Sequence, residues 1–415
     1  MQEWRENEEG MEIVIVGAGP VGCYTAQLLR KFGIKAKLIE EHQEIGKPVQ
    51  CAGIVGKQVF EDTQGEILKS SIINQINGAF FFYGKDNFKI NREGVALVID
   101  RKKFDQELSR DLNIEFGTRL LSIEKNGEDE DYLLKTNRGD FRAKVVIGAD
   151  GAKSQVRRFV LNKGGKIKED KLNGKNNKKE NQESSFEEKD YASMIDYYVG
   201  WQYKIKLGRP FTHKDMVQVY LKEEIPFFIW VIPESEYILR IGIISWDNRN
   251  KLNQFIEREK IEGEIIEKNY GIIPLGLLPR ISWGNIFLVG DAACQIKPLT
   301  GGGIYYGLKA AEILVDCFKE NKLLEYEIRW KRKYYQEIKK MLRLRRIYER
   351  IQTQPDEVRE VFNLFRNNVD FIEKIADFEN HSVIFREVFK IKRGKLFIDA
   401  IKILSRNLKK IIFTR

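Results

Sequence analysis

Apolar residues recur with two different periods along this 415-residue chain, and the changes of period mark out its elements. Residues 12–16 are a short β-branched run. A glycine-rich turn follows at 17–22, and then a segment at 23–32 that presents Ala26, Leu28 and Leu29 for packing as a helix. Gly33 closes that segment and 35–40 reads as a strand, so residues 12–40 predict one strand–helix–strand unit. Strand patterns recur at 80–83, 88–90 and 95–99, a helix is predicted over 101–112, and strands over 131–136 and 141–147. From Tyr197 to Trp246 the pattern is β again and rich in aromatics, among them Trp201, Tyr203, Tyr220 and Trp230. A buried strand at 286–289 leads into a loop running from Gly290 to Gly303, then a helix from Ile304. Beyond about Lys319 the chain is helical and basic.

One stretch follows neither period. From about residue 162 to 189, Lys, Asn, Glu and Gly dominate. Such a composition buries too little apolar surface to offset its chain entropy, so a disordered insertion is predicted. The expected fold class is α/β. A Rossmann-like dinucleotide domain (1–75, 98–160 and 272–320) is interleaved with an antiparallel β-sheet substrate domain (76–97 and 190–271). The insertion occupies 161–189, and 321–415 forms a C-terminal helical region.

Composition adds limits. A 42% hydrophobic content supports a full core, and a net charge of +10 favours anionic ligands or surfaces. The four cysteines show neither metal nor disulfide spacing, which suits a reducing cytoplasm, and three scattered histidines offer little to a metal site. The polar, acidic N-terminus does not read as a signal peptide, and no apolar run is long enough to span a bilayer. The segment 395–413 places Phe397, Ile401, Leu404, Leu408 and Ile411 on one helical face. Asp399, Lys402, Arg406 and Lys409 fall on another, as in a helix that lies on a membrane face or docks on its own domain. The expected location is the cytoplasm, with peripheral contact to the cytoplasmic membrane face.

Candidate chemistry begins at Gly17, Gly19 and Gly22. They stand as G-x-G-x-x-G between a strand and a helix, where a pyrophosphate can approach the backbone and rest on the helix N-terminus. Glu40 closes the second strand about twenty residues on, where an acid binds ribose hydroxyls; Glu41 adjoins it. A 2′-phosphate would be repelled there, which disfavours NADP at this site. Two further loops follow buried strands: one carries Asp150, the other Gly290 and Asp291. Gly301, Gly302 and Gly303 then open a helix whose free N–H groups can face an electron-rich ring edge. Cys51 lies in a loop framed by Gly46, Pro48 and Gly53, and reads either as a functional thiol or as a small packing residue; Cys23, Cys294 and Cys317 read as packing residues.

In this order, the three loops resemble the FAD-binding set of the p-hydroxybenzoate-hydroxylase-like flavoproteins, from residue 13 to about 315 without the insertion. Arg101, after Val98, Ile99 and Asp100, matches the family's cofactor-contacting arginine before a helix. Within that superfamily the chain is similar to the geranylgeranyl reductases, including the archaeal digeranylgeranylglycerophospholipid reductase type. The cysteine loop at 46–53, the triple glycine, and the run 226–233 carry the likeness. That run resembles the family's P-x-x-Y-x-W-x-F-P strand, with Phe228 in place of Tyr, Ile232 in place of Phe, and Pro226 one position late. Period-two alternation puts Phe228, Trp230 and Ile232 on one face and Phe227, Ile229 and Val231 on the other.

The resemblance implies FAD as cofactor and a reductase that saturates isolated C=C bonds of geranylgeranyl chains in membrane lipids or prenyl diphosphates. Phe228 and Trp230 would line the isoprenoid site, and Cys51 would tune the flavin or deliver a proton. NAD(P)H, a small redox protein or a deazaflavin remain open as the electron donor. A nucleic-acid partner is not expected, since no recognition motif accompanies the charge. A flavin monooxygenase of an aromatic or prenylated substrate is the enzymatic alternative, and a flavin-bound membrane scaffold without turnover is the alternative of another class.

Overall fold

The computed structural model describes residues 13–64, 67, 69–125, 131–163, 194–221, 227–245, 249–381, 383–384 and 386–387. The predicted insertion beyond Lys163 and the amphipathic segment 395–413 lie outside them, as do Pro226 and Trp246.

Ile13–Val16 occupies the middle of a six-stranded sheet ordered Ser282–Trp283, Ile286–Leu288, Val145–Gly148, Ile13–Val16, Lys37–Glu40, Ile114–Phe116. All neighbours pair in parallel except the edge strand Ser282–Trp283. The central strands are covered on both faces, which is why IVIV, VVIG and IFL are apolar without alternation. Their carboxyl ends share one edge of the sheet. There the loops beginning at Gly17, Ala149 and Val289 converge from distant parts of the chain, and in open parallel sheets ligands bind at that edge.

The second sheet has eight strands, ordered Gly263–Gly276, Ile195–Leu207, Ile238–Ser245, Ile229–Pro233, Val217–Tyr220, Ile72–Tyr83, Asp86–Ile99, Ile54–Gly56. It is antiparallel apart from the parallel pair Val217–Tyr220 and Ile72–Tyr83. A small sheet of Leu120–Lys125, Tyr132–Thr136 and Gly139–Ala143 flanks the first.

Several sequence expectations are corrected in detail. The three short strands at 80–99 are one long hairpin, Ile72–Tyr83 with Asp86–Ile99. A register shift next to Gly78 and the polar residues Asn91, Arg92 and Glu93 hid its length. The first helix starts at Pro20 rather than 23, because the fixed φ of proline suits a first helical turn. The helix expected to reach 112 is Arg101–Leu108, closed at Ser109. The strand expected at 141–147 divides at exposed Lys144 into Gly139–Ala143 and Val145–Gly148, which join different sheets.

Helix Ile304–Lys319 packs against Pro20–Lys31 in the nucleotide layer. Helices Gln336–Ile351 and Pro355–Arg366 instead cover part of the second sheet, burying Ile347, Ile351, Val358 and Phe362 against Tyr83 and Phe88. Trp230 and Ile232 face one core, while Ile229 and Val231 face another with Leu252 and Phe255 of helix Arg249–Arg258, as the alternation requires. Phe227 departs from it. It precedes the strand and packs on the Trp230 side, because Tyr348 and Gln352 donate to its carbonyl at 3.1 and 2.8 Å.

Candidate active site

A single cavity of about 1300 Å³ runs from the glycine turn to the space between the second sheet and the C-terminal helices. Ligand pockets are typically about 300–1,000 Å³, so there is room for more than one small molecule. Of the residues singled out in the sequence, Gly17, Gly19, Glu40, Glu41, Cys51, Arg101, Asp150, Gly290, Asp291, Gly301, Gly302, Gly303, Phe228 and Trp230 all line it. Gly22 lies beneath the wall instead of in it.

The glycine turn divides its work among three residues. Gly17 has φ +98°, and a Cβ there would meet the Ala149 carbonyl oxygen at 2.5 Å. At Gly22 a Cβ would strike the carbonyl of Gly17, so helix and turn are in contact. Gly19 faces open space, with nothing within 4 Å of where its Cβ would be. It precedes helix Pro20–Lys31, whose first amides receive no side-chain cap and so can accept an anion.

The acids play different parts. Glu40 accepts from the Ala18 amide at 2.7 Å and, through its other oxygen, from the His42 amide at 3.0 Å; the His42 ring lies 2.6 Å from that oxygen. It thus braces the glycine turn while lining the cavity. Asp150 is occupied by helix Gln155–Lys163: Gln155 donates to it at 2.7 Å and Val156 at 3.2 Å, beside a Ser154 hydroxyl contact. Burial raises its pKa, against the pull of those donors. The Asp291 carboxylate receives no hydrogen bond among the described residues. Burial pushes its pKa up to about 6 despite Arg101 and Arg157 nearby. An acceptor held this way is set for donors on a ligand.

Arg101 is not turned to solvent. It forms a fork with Asp105, at 3.0 and 2.9 Å from Nη2, and interacts with Cys51. Burial works to lower its pKa, but Asp105 and Cys51 outweigh it and hold the guanidinium firmly charged. Sequence reading missed Arg240. Its buried Nη1 donates to the carbonyls of Ala52 and Ile99 at 3.0 and 3.1 Å, and its Nε meets Glu234 at 2.8 Å. One side chain therefore fixes the cysteine loop and the approach to Arg101. A lone Arg in the otherwise apolar strand Ile238–Ser245 was the available signal. Buried Arg157 likewise spans two loops, donating to the carbonyls of Asp291 and Ala292 and to Tyr197. Cys23, Cys294 and Cys317 are buried, and burial raises the last two thiols to about 12 and about 11, so they stay protonated.

Lys297 projects beside Gly302 and pairs with Glu379 at 2.8 Å, both buried, while donating to the Phe378 carbonyl at 2.9 Å. Glu379 also accepts from Gly56 at 2.7 Å. The segment 376–381 thereby lines the cavity, tied to the 290–303 loop and to the strand Ile54–Gly56. Next to it, burial, reinforced by Lys297, drives His381 down to about 3, so its ring is neutral.

Known proteins agree with this geometry. A family model described as FAD binding domain matches residues 10–58 and 104–318. The chain belongs to the FAD-binding domain family. It is similar to the digeranylgeranylglycerophospholipid reductase of Methanocaldococcus jannaschii, 29% identical over 84% of this chain and 89% of that protein. The enzyme of that name from Methanococcus aeolicus is 27% identical over 94% of this chain and 96% of its own. The crystal structure of a geranylgeranyl bacteriochlorophyll reductase-like protein of Thermoplasma acidophilum superposes with TM-score 0.66 at 22% identity, over 96% of this chain and 99% of that one. The protein is an FAD-dependent oxidoreductase. The residues fit the cofactor: uncapped amides at Pro20–Lys31 and Ile304–Lys319 await electron-rich groups, and Asp291 awaits donors. Among the described residues, no helix is long and apolar enough to cross a membrane.

Proposed function

We propose that this oxidoreductase saturates C=C bonds of geranylgeranyl chains. The observation that carries the reading is the continuity of one cavity from the dinucleotide edge to an apolar wall, with Cys51 and Arg101 also on its lining. Phe228, Trp230 and Ile232 supply that wall from the sheet, and Ile347 and Phe362 face it from the helices. Relatives named as reductases of digeranylgeranyl lipids support the same substrate class.

FAD, when bound and reduced, supplies the hydride. The protein's own residues do the rest. Gly17, Gly19 and the start of Pro20–Lys31 would receive the pyrophosphate, and Glu40 and Glu41 would serve the ribose. Asp291 and the Gly301, Gly302 and Gly303 turn would hold the flavin, and Asp150 fixes its own loop from behind. An isolated alkene has no carbonyl to polarise, so exclusion of water and fixed orientation along the apolar wall must contribute heavily. Cys51, steadied by Arg101 and by the loop contacts of Arg240, is the candidate to tune the flavin or deliver the proton.

The test is anaerobic. Holoprotein reduced with dithionite is mixed with a geranylgeranyl lipid, and flavin absorbance and chain saturation are followed. Reoxidation with formation of saturated chains is expected. Reoxidation only when oxygen is admitted, with hydroxylated product, would replace this reading by a monooxygenase. Cys51→Ser is expected to slow saturation by about 10²–10⁴-fold while FAD stays bound; an unchanged rate makes Cys51 a packing residue.

A further inference from the structure

The helical run 326–351 carries ten Lys and Arg against three Glu. It comprises Tyr326–Trp330, a π-helical turn Lys331–Tyr335 and Gln336–Ile351. Two of its acids point inward: Glu337 accepts from Tyr306, and Glu349 from Tyr198 and Arg345. Lys339, Arg343, Arg346 and Arg350 recur at intervals of four, three and four, which places them on one face. Lys340, Arg343 and Arg346 are exposed, as are Arg332 and Lys333. Among the described residues none of these cations forms an ion pair with a carboxylate. Leu324 and Ile328, one turn apart just before them, are 74% and 57% exposed. The same helix turns Leu344, Ile347, Tyr348 and Ile351 into the cavity.

We propose that this face docks the protein on an anionic lipid bilayer, with the exposed cations over the headgroups and Leu324 and Ile328 in contact with the interface. The inference rests on the reading of the cavity as an isoprenoid channel. Charge complementarity selects the partner: unpaired cations gain most beside a negative surface. The apolar pair and the channel wall on the same helix favour lipid over nucleic acid, which would use the cations and leave Leu324 and Ile328 without a role.

The experiment is co-sedimentation of the full-length holoprotein with vesicles free of unsaturated isoprenoids. Phosphatidylglycerol mixed with phosphatidylcholine is compared with phosphatidylcholine alone. Binding is expected only to the anionic vesicles and should weaken as salt rises. Replacing Lys340, Arg343 and Arg346 together by Gln should reduce it on the order of a hundredfold, at about fivefold per cation. The same variant should keep its turnover of detergent-dispersed substrate. Equal binding to both vesicle types, or a variant that binds as the wild type does, overturns the proposal. So does retention on duplex DNA without vesicle binding. Because these vesicles carry no reducible chain, the binding result stands apart from the substrate reading. Vesicle binding by a protein that turns over no isoprenoid would retain the surface and reject the reductase.

Discussion

Around Gly17 the cavity wall is backbone. Two strand ends, a left-handed glycine and an uncapped helix start make it, with the side chains of Glu40 and Arg101 at its margin. Around Trp230 the wall is side chains brought from the sheet, the Gln336–Ile351 helix and the Pro355–Arg366 helix. On the proposed function, the first region would specify its ligand through fixed N–H groups and a few carboxylates, and would tolerate little change in shape. The second would exclude water and set a length and width, where similar apolar residues can exchange. A chain built this way can keep one cofactor while its substrate end varies.

The Lys297–Glu379 pair ties the 290–303 loop to segment 376–381, and breaking it should give the largest effect. Lys297→Met leaves the Glu379 carboxylate buried with only the Gly56 amide as donor. A loss of about 3–5 kcal/mol in denaturant unfolding is expected. The double change Lys297→Met with Glu379→Gln should recover most of it, since a neutral amide still accepts from Gly56. A single variant that loses under about 1 kcal/mol would show that segment 376–381 is not clamped.

That pair also marks how far the sequence could be read. The crevice was legible because its determinants are local: Gly17, Gly19 and Gly22 fall within one turn, and Glu40 follows at a fixed remove. The loops of Asp150 and Asp291 announced themselves by buried strands just before them. What makes the channel is non-local. Nothing near Lys297 in sequence indicates Glu379, and nothing near Phe227 indicates that Tyr348 and Gln352 hold its carbonyl. Roles were less legible than positions. Asp150 lines the cavity, yet its carboxylate caps a helix, and Arg101 holds Asp105 and Cys51.

A smaller effect should separate binding from stability within the crevice. Asp291 is raised to about 6 in the folded protein, above its unfolded value. The folded state therefore binds the extra proton more readily, and the cost of the buried charge is present above about pH 6 and disappears as pH falls toward 4. Asp291→Asn should make the apoprotein more stable at pH 7, by roughly 3 kcal/mol. The gap should narrow on acidification to pH 5. FAD affinity should fall at the same time, as the acceptor is lost. Thermal unfolding of the two apoproteins at both pH values checks the sign; a gap that widens in acid would mean Asp291 has a stabilising partner in the fold.

The mildest change is expected on the channel side. Trp230 donates to Gln202 at 3.0 Å, and its ring lies over Gly242, where a Cβ would meet it at 2.2 Å. Trp230→Phe keeps an aromatic wall but leaves the Gln202 carbonyl oxygen without that donor, a cost of about 1 kcal/mol. Because the channel works by shape and dryness, KM for an isoprenoid substrate should shift by only a few-fold, and FAD content should be unchanged. Steady-state kinetics and the flavin-to-protein ratio of the purified variant test both. Loss of flavin from Trp230→Phe would move this residue from the channel to the cofactor, and the division between a backbone-built and a side-chain-built half of the cavity would no longer hold.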